Sequence, residues 1–81
     1  MGANRRLNVV LYTRNGCHLC DEAQKMLSEL GISPTLVDID RDPNLCKRFD
    51  ACVPVVEIDG RIRFRGRVEP KLMLRIIRNR G

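Results

Sequence analysis

Two cysteines three positions apart, Cys17 and Cys20 in the stretch "TRNGCHLCDEA", are the residues of this chain most able to do chemistry. Thiols one helical turn apart are near enough to close a disulfide. Together they supply an attacking thiolate and a second thiol that releases whatever the first one captures. His18 lies between them. Its imidazole either stabilises the thiolate when protonated and shuttles a proton during exchange, or is a solvated residue of the first turn. Leu19 is read as packing at the helix start rather than touching substrate.

Cys46 and Cys52 complete the pattern C-x2-C-x25-C-x5-C. The second pair is spaced too widely for a usual zinc knuckle, so no metal ligands are assigned. Cys46 is expected to be a buried thiol, since free cysteines are among the most buried residues. Cys52, two before Pro54, is either an accessory thiol beside the site or another buried one.

The elements that must position these residues alternate along the chain. "LNVVLYT" (Leu7 to Thr13) is nearly all apolar and rich in β-branched and aromatic residues, which predicts a strand buried on both faces; Asn15-Gly16 then breaks it. From residue 18 to 30 the pattern is helical. Ala23, Met26, Leu27 and Leu30 make the apolar stripe, Asp21 and Glu22 sit in the first turn, and Gly31 ends the run. "PTLVDID" predicts a second strand with Leu36, Val37 and Ile39 as its apolar content, and Asp42-Pro43 opens a short helix carrying Leu45, Cys46 and Phe49. "VPVVEIDGRIRFRG" predicts a hairpin about Asp59-Gly60. Its second arm alternates strictly, with Arg61, Arg63, Arg65 and Arg67 on one face against Ile62, Phe64 and Val68. A last helix starts near Glu69-Pro70 with Leu72, Met73, Ile76 and Ile77 inward. The order β-α-β-α-β-β-α predicts a mixed four-stranded sheet with helices on both faces.

In this arrangement Cys17 lies where the first strand turns into the helix. Unpaired backbone N–H groups and the positive end of the helix dipole favour a thiolate there, and such cysteines titrate below the ordinary thiol value of about 8.5.

The 81 residues, 43% of them hydrophobic, suffice for one domain spanning 1–81. No stretch approaches the roughly 20 apolar residues that span a membrane, and "MGANRRLNVVLYT" has neither a long apolar signal region nor a small-residue cleavage site. The chain is therefore expected to be cytoplasmic, where structural disulfides are rare and four cysteines point to redox chemistry, metal binding or burial. The net charge of +5 is uneven: residues 61–81 carry 8 basic and 1 acidic side chains, against 7 and 9 in residues 1–60. Such a stripe suits nucleic acid, and the last helix adds Lys71, Arg75, Arg78 and Arg80. Two phenylalanines, one tyrosine and no tryptophan are too few for a stacking platform, however, so no nucleic-acid partner is expected. The arginines read as a solvated sheet edge that resists aggregation, with docking of an acidic protein partner as the functional rival.

The motif "CHLC" after a strand, the helix behind it and "VP" before a hairpin resemble the thioredoxin superfamily. Within it, "YTRNGCHLCDEA" most resembles the small glutaredoxin-like proteins, over Leu7 to Arg78. The resemblance implies an α/β, thioredoxin-like three-layer sandwich and a redox-active dithiol with Cys17 as nucleophile and Cys20 as resolving thiol. It implies a cis Val53-Pro54 bond facing the dithiol, with the Val53 backbone pairing with a bound peptide or glutathione. Arg14 matches the basic residue that glutaredoxins place three before the nucleophile, where it assists the thiolate and meets a glutathione carboxylate. Glutaredoxins usually follow the hairpin with a Gly-Gly pair and an acidic residue that receives the glutathione α-amine. Here "RGRVE" keeps Gly66, puts Arg67 in place of the second glycine and offers Glu69, and the usual Pro-Tyr between the cysteines is missing.

The expectation is thus a monomeric thiol–disulfide oxidoreductase acting on a disulfide-containing protein or a glutathione mixed disulfide. No cofactor is expected to stay bound; glutathione is the candidate cosubstrate, and either it or a reductase is the electron donor. Two rivals remain: a non-enzymatic metal or iron–sulfur carrier with Cys17 as a cluster ligand, and a redox-inactive interaction module.

Overall fold

The computed structural model of the chain describes residues 7–50 and 52–80, with side chains to residue 78. Strands β1 (Val9–Thr13), β2 (Thr35–Asp38), β3 (Val55–Ile58) and β4 (Arg61–Arg65) alternate with helices α1 (His18–Glu29), α2 (Pro43–Phe49) and α3 (Pro70–Arg80) in the expected order. The sheet order is β2-β1-β3-β4. β1 and β2 are parallel, joined by α1 as the crossover, while β1/β3 and β3/β4 are antiparallel.

Local chemistry sets the boundaries. Gly16 and Gly31 bracket α1 with φ of 75° and 82°, a left-handed conformation that costs glycine nothing. The second strand is shorter than expected. The Asp38 carboxylate accepts the Asp40 N–H at 3.0 Å, and residues Ile39–Arg41 close into a 3-10 turn instead of extending the ladder. Ile39 is still fully buried, but Leu36, on an edge strand, is half exposed. Asp42 caps α2 through the Asn44 N–H at 2.9 Å, with Pro43 in its first turn.

Two cores sandwich the sheet. On one face Val9, Leu11, Val56, Ile58 and Phe64 meet Ala23 and Leu27 of α1, Val68, and Met73 of α3. On the other, Val55, Tyr12 and Ile62 meet Ile39 of the 3-10 turn and Phe49 of α2, with the Tyr12 and Phe49 ring centroids 4.9 Å apart and the Arg48 guanidinium 4.7 Å from the Phe49 centroid. Each fully buried Val, Leu, Ile, Phe or Met of these cores stabilises the fold by about 1.5–3 kcal/mol.

The hairpin departs from strict alternation. Val56 pairs with Phe64 but Glu57 pairs with Ile62, so Arg63 is an extra residue, a β-bulge. One inserted residue reverses which face each following side chain takes. Ile62 therefore packs on the α2 core and Phe64 on the α1/α3 core. The arginines do not form a single stripe. Arg61 pairs with Ile58 of the α1/α3 face, whereas Arg65 pairs with Val55 of the α2 face.

Candidate active site

Cys17 is the N-cap of α1, with extended φ and ψ of −91° and 106°; its carbonyl accepts the Asp21 N–H at 3.2 Å. Its Sγ sits where a capping oxygen would be and accepts the Cys20 N–H at 3.1 Å. One of the orphan donors of the helix end is thus aimed at the sulfur, the geometry that stabilises negative charge there. Cys17 and Cys20 form a disulfide with a Cα–Cα distance of 5.2 Å. The two sulfurs are unlike: Cys20 is buried, 2% exposed, while Cys17 is only partly covered. The outer one is open to attack and the inner one is reached through it.

His18 turns away along the helix surface. Its Nε2 lies 3.1 Å from Glu22 Oε2, one turn on, with the His18 side chain 86% exposed. This is the solvated first-turn arrangement, and among the described residues no hydrogen bond joins His18 to either cysteine. Leu19, expected to pack, is instead half exposed beside the dithiol.

The Val53–Pro54 peptide bond is cis. Val55 is in register with Tyr12, so this bond and the β1–α1 turn carrying Cys17 lie at the same end of the sheet. The Pro54 carbonyl accepts the Gly66 N–H at 2.8 Å, tying the chain after β4 to the start of β3. Gly66 has φ of 83° and lies close to the Cys52 carbonyl. The Glu69 carbonyl accepts the Met73 N–H at 2.9 Å, and its exposed side chain stands at the entry to α3. Beside the dithiol runs a groove of about 220 Å³, lined by Leu19, Glu22, Ala23 and Met26 of α1 and by Gly66, Arg67, Val68 and Pro70. Arg67 is part of its wall.

Arg14 is tied to the 3-10 turn and to α2. Its Nε and Nη2 donate to Asp40 Oδ2 and Oδ1 at 3.2 and 2.7 Å, and Nη1 donates to the Asp50 carbonyl and Oδ1 at 2.9 and 3.2 Å. The fifth contact runs from Nη2 to Cys46 Sγ at 3.5 Å. A guanidinium has five N–H groups, and five acceptors meet them here. The bonds to Asp40 and Asp50 raise the Arg14 pKa further, and the Arg14 bonds hold the Asp40 carboxyl below the usual carboxylate range. Among the described residues no hydrogen bond or ion pair joins Arg14 to the dithiol. Cys46 is only partly buried, and its Sγ donates to Asp40 Oδ1 at 3.7 Å. Cys52, also partly buried, packs at the edge of the α2 core. Sequence reasoning missed Asp40 and Asp50, since an acid in a loop carries no signal of the distant arginine that it will meet.

Among the described residues no helix is long and apolar enough to cross a membrane. A family model described as "Glutaredoxin-like domain (DUF836)" matches residues 8–77. The chain is 34% identical to Glutaredoxin-C1 of Oryza sativa subsp. japonica over 64 residues, which are 67% of this chain and 61% of that protein. It is 30% identical to Glutaredoxin-C13 of Arabidopsis thaliana over 63 residues, with the same coverage. It thus spans about three fifths of the length of the curated relatives it matches. Among solved structures, the structural-genomics target protein XcR50 from X. campestris is 27% identical with a TM-score of 0.74, covering 88% of this chain and 96% of that one. Mitochondrial thioredoxin 3 from Saccharomyces cerevisiae, in its oxidized form, has a TM-score of 0.61 at 18% identity, covering 90% and 77%; that likeness concerns the fold, which is the thioredoxin fold.

Proposed function

The chain belongs to the glutaredoxin-like family, and from that premise we propose that it is a thiol–disulfide oxidoreductase whose working pair is Cys17 and Cys20. The observation that carries this reading is the asymmetry of the pair: a partly exposed sulfur capped by a helix N–H, bonded to a buried one. In the reduced protein the Cys17 thiolate attacks one sulfur of a substrate disulfide. The substrate S–S bond breaks, its other sulfur leaves as a thiolate and takes up a proton, and a mixed disulfide remains on Cys17. Cys20, as its thiolate, then attacks Cys17 Sγ, releasing the second substrate thiolate. Two electrons pass from the dithiol to the substrate, and the Cys17–Cys20 disulfide is left for a thiol reductant to reduce.

The groove along Leu19, Gly66 and Arg67 is the place for the substrate segment flanking the attacked sulfur, with the Val53 backbone beside it. A glutathione mixed disulfide is the poorer substrate in this reading. Arg67 lines the groove where glutaredoxins keep glycine, and a carboxylate can reach Arg14 only by displacing Asp40, Asp50 or the Cys46 thiol.

The test is chemical mapping of the reduced protein. Iodoacetamide near neutral pH is expected to label Cys17 before Cys20, and Cys17→Ser to abolish reduction of hydroxyethyl disulfide. Cys20→Ser is expected to accumulate the mixed disulfide, detected by mass. Labelling of Cys20 first would reverse the roles. A coloured protein after anaerobic purification would favour a cluster carrier instead.

A further inference from the structure

The bulge at Arg63 builds a second concavity at the other end of the sheet. It is an open cleft of about 510 Å³ between the β3–β4 hairpin and α3. Ile58 and Phe64, both buried, form its floor with Ile76, and Leu72, 46% exposed, stands at its side. Arg61, Arg63 and Arg75 line it, and the carboxylate among the lining residues belongs to Asp59, whose Oδ1 accepts the Asn8 N–H at 3.0 Å. Among the described residues none of these three arginines makes an ion pair, in contrast to the fully engaged Arg14. Ile58 is in register with Val9, at the start of β1, whereas Cys17 follows its end. The cleft is therefore separated from the dithiol by the length of the strand, about 13 Å.

We propose that this cleft docks an acidic segment of a partner protein through an apolar side chain flanked by carboxylates. Charge complementarity is the first argument. Three guanidinium groups converge with one carboxylate that is already bonded to backbone, so the site attracts anions. The apolar floor is the second. A small inorganic anion would leave Leu72, which is exposed, and the partly exposed Ile76 unused, while a Leu or Phe of a peptide would cover them and place neighbouring carboxylates against the rim, the usual anatomy of an interface anchor. Nucleic acid fits less well, because the aromatic ring present, Phe64, is buried in the core and offers no face for stacking.

The experiment is an amide NMR titration of the whole chain with acetyl-Glu-Leu-Glu-Leu-Glu-amide. Four comparisons accompany it: the same peptide with glutamine for glutamate, citrate, a thymidine decanucleotide, and the Arg61→Glu/Arg75→Glu variant. The acidic peptide is expected to move the amides of Arg61, Arg63, Phe64, Leu72 and Arg75. Glutamine replacement and the double variant should each weaken binding by about tenfold or more, the scale of losing two charge pairs at an interface. Leu72→Ala should weaken it too, whereas hydroxyethyl disulfide reduction should be unchanged in both protein variants, which keeps the cleft distinguishable from the dithiol. Unmoved amides in the cleft, equal binding of the glutamine peptide, or tighter binding of citrate or the oligonucleotide would each overturn the assignment.

Discussion

Replacing Gly66 by alanine should destabilise the chain for a reason that can be isolated. The residue has φ of 83°, and a Cβ there would meet only the Cys52 carbonyl at 3.9 Å, an ordinary contact. Space is not the obstacle; backbone conformation is. An L-residue held in the left-handed region costs about 1–2 kcal/mol. A domain of this size loses about 4–8 °C of Tm per kcal/mol. Thermal unfolding followed by circular dichroism should therefore place Gly66→Ala about 4–16 °C below the parent. Gly16 supplies the control, since it has φ of 75° and nothing within 4 Å of a built Cβ, and its alanine variant should lose a similar amount. Gly66→Asn decides between strain and crowding. Asparagine is larger than alanine but tolerates positive φ better, so strain predicts a smaller loss for Asn than for Ala. A larger loss for Asn would refute the reasoning and show that the groove wall has no room.

Two further predictions concern ionisation. The Asp40 carboxyl titrates below its unfolded value of about 3.9 because Arg14 holds it ionised. Its contribution to stability is therefore complete above that pH and is lost as pH falls through the lower folded value. The acid limb of a stability–pH curve should be flatter in Asp40→Asn, and an unchanged limb would remove Asp40 from the account. Tyr12 is the sole tyrosine of the chain, so ultraviolet difference absorbance reads it directly. Burial, then the 2.9 Å bond to Glu57 Oε1 and that carboxylate's charge, raise its pKa, so the midpoint of its ionisation should lie above that of a free tyrosine; Glu57→Gln should bring the midpoint down part of the way, leaving the burial effect.

Element order, the dithiol and its place at a helix start were legible in the sequence because they depend on local signals. Breakers at Gly16 and Gly31, an apolar stripe of period 3.6 and Asp59-Gly60 act within a few residues of themselves. What the sequence hid is non-local or turns on one residue. Nothing near Arg14 announces Asp40 and Asp50, 26 and 36 positions on, so its role was legible only as a family pattern. His18 could be placed between the cysteines but not turned toward Glu22, since an exposed rotamer is chosen by small surface energies. The alternation of Arg61 to Arg67 was plain, yet alternation maps onto faces only if pairing is unbroken, and the bulge at Arg63 arises from register with β3. Leu36 on its edge strand and Leu19 beside the dithiol show the same limit: apolar type does not say whether a partner layer arrives.

The second arm of the hairpin is fastened at two points, by the pairing of Arg61 with Ile58 at the turn and by the Gly66 N–H on the Pro54 carbonyl. Arg63 is the residue between them that the ladder does not need. Without it Val55, Val56, Glu57 and Ile58 would still stand opposite Arg65, Phe64, Ile62 and Arg61 with every face unchanged, so a relative one residue shorter in this arm keeps both fastenings. What it gives up is one guanidinium of the cleft beside α3. Arm length, countable in any related sequence, therefore marks which chains hold three arginines over that cleft and which hold two.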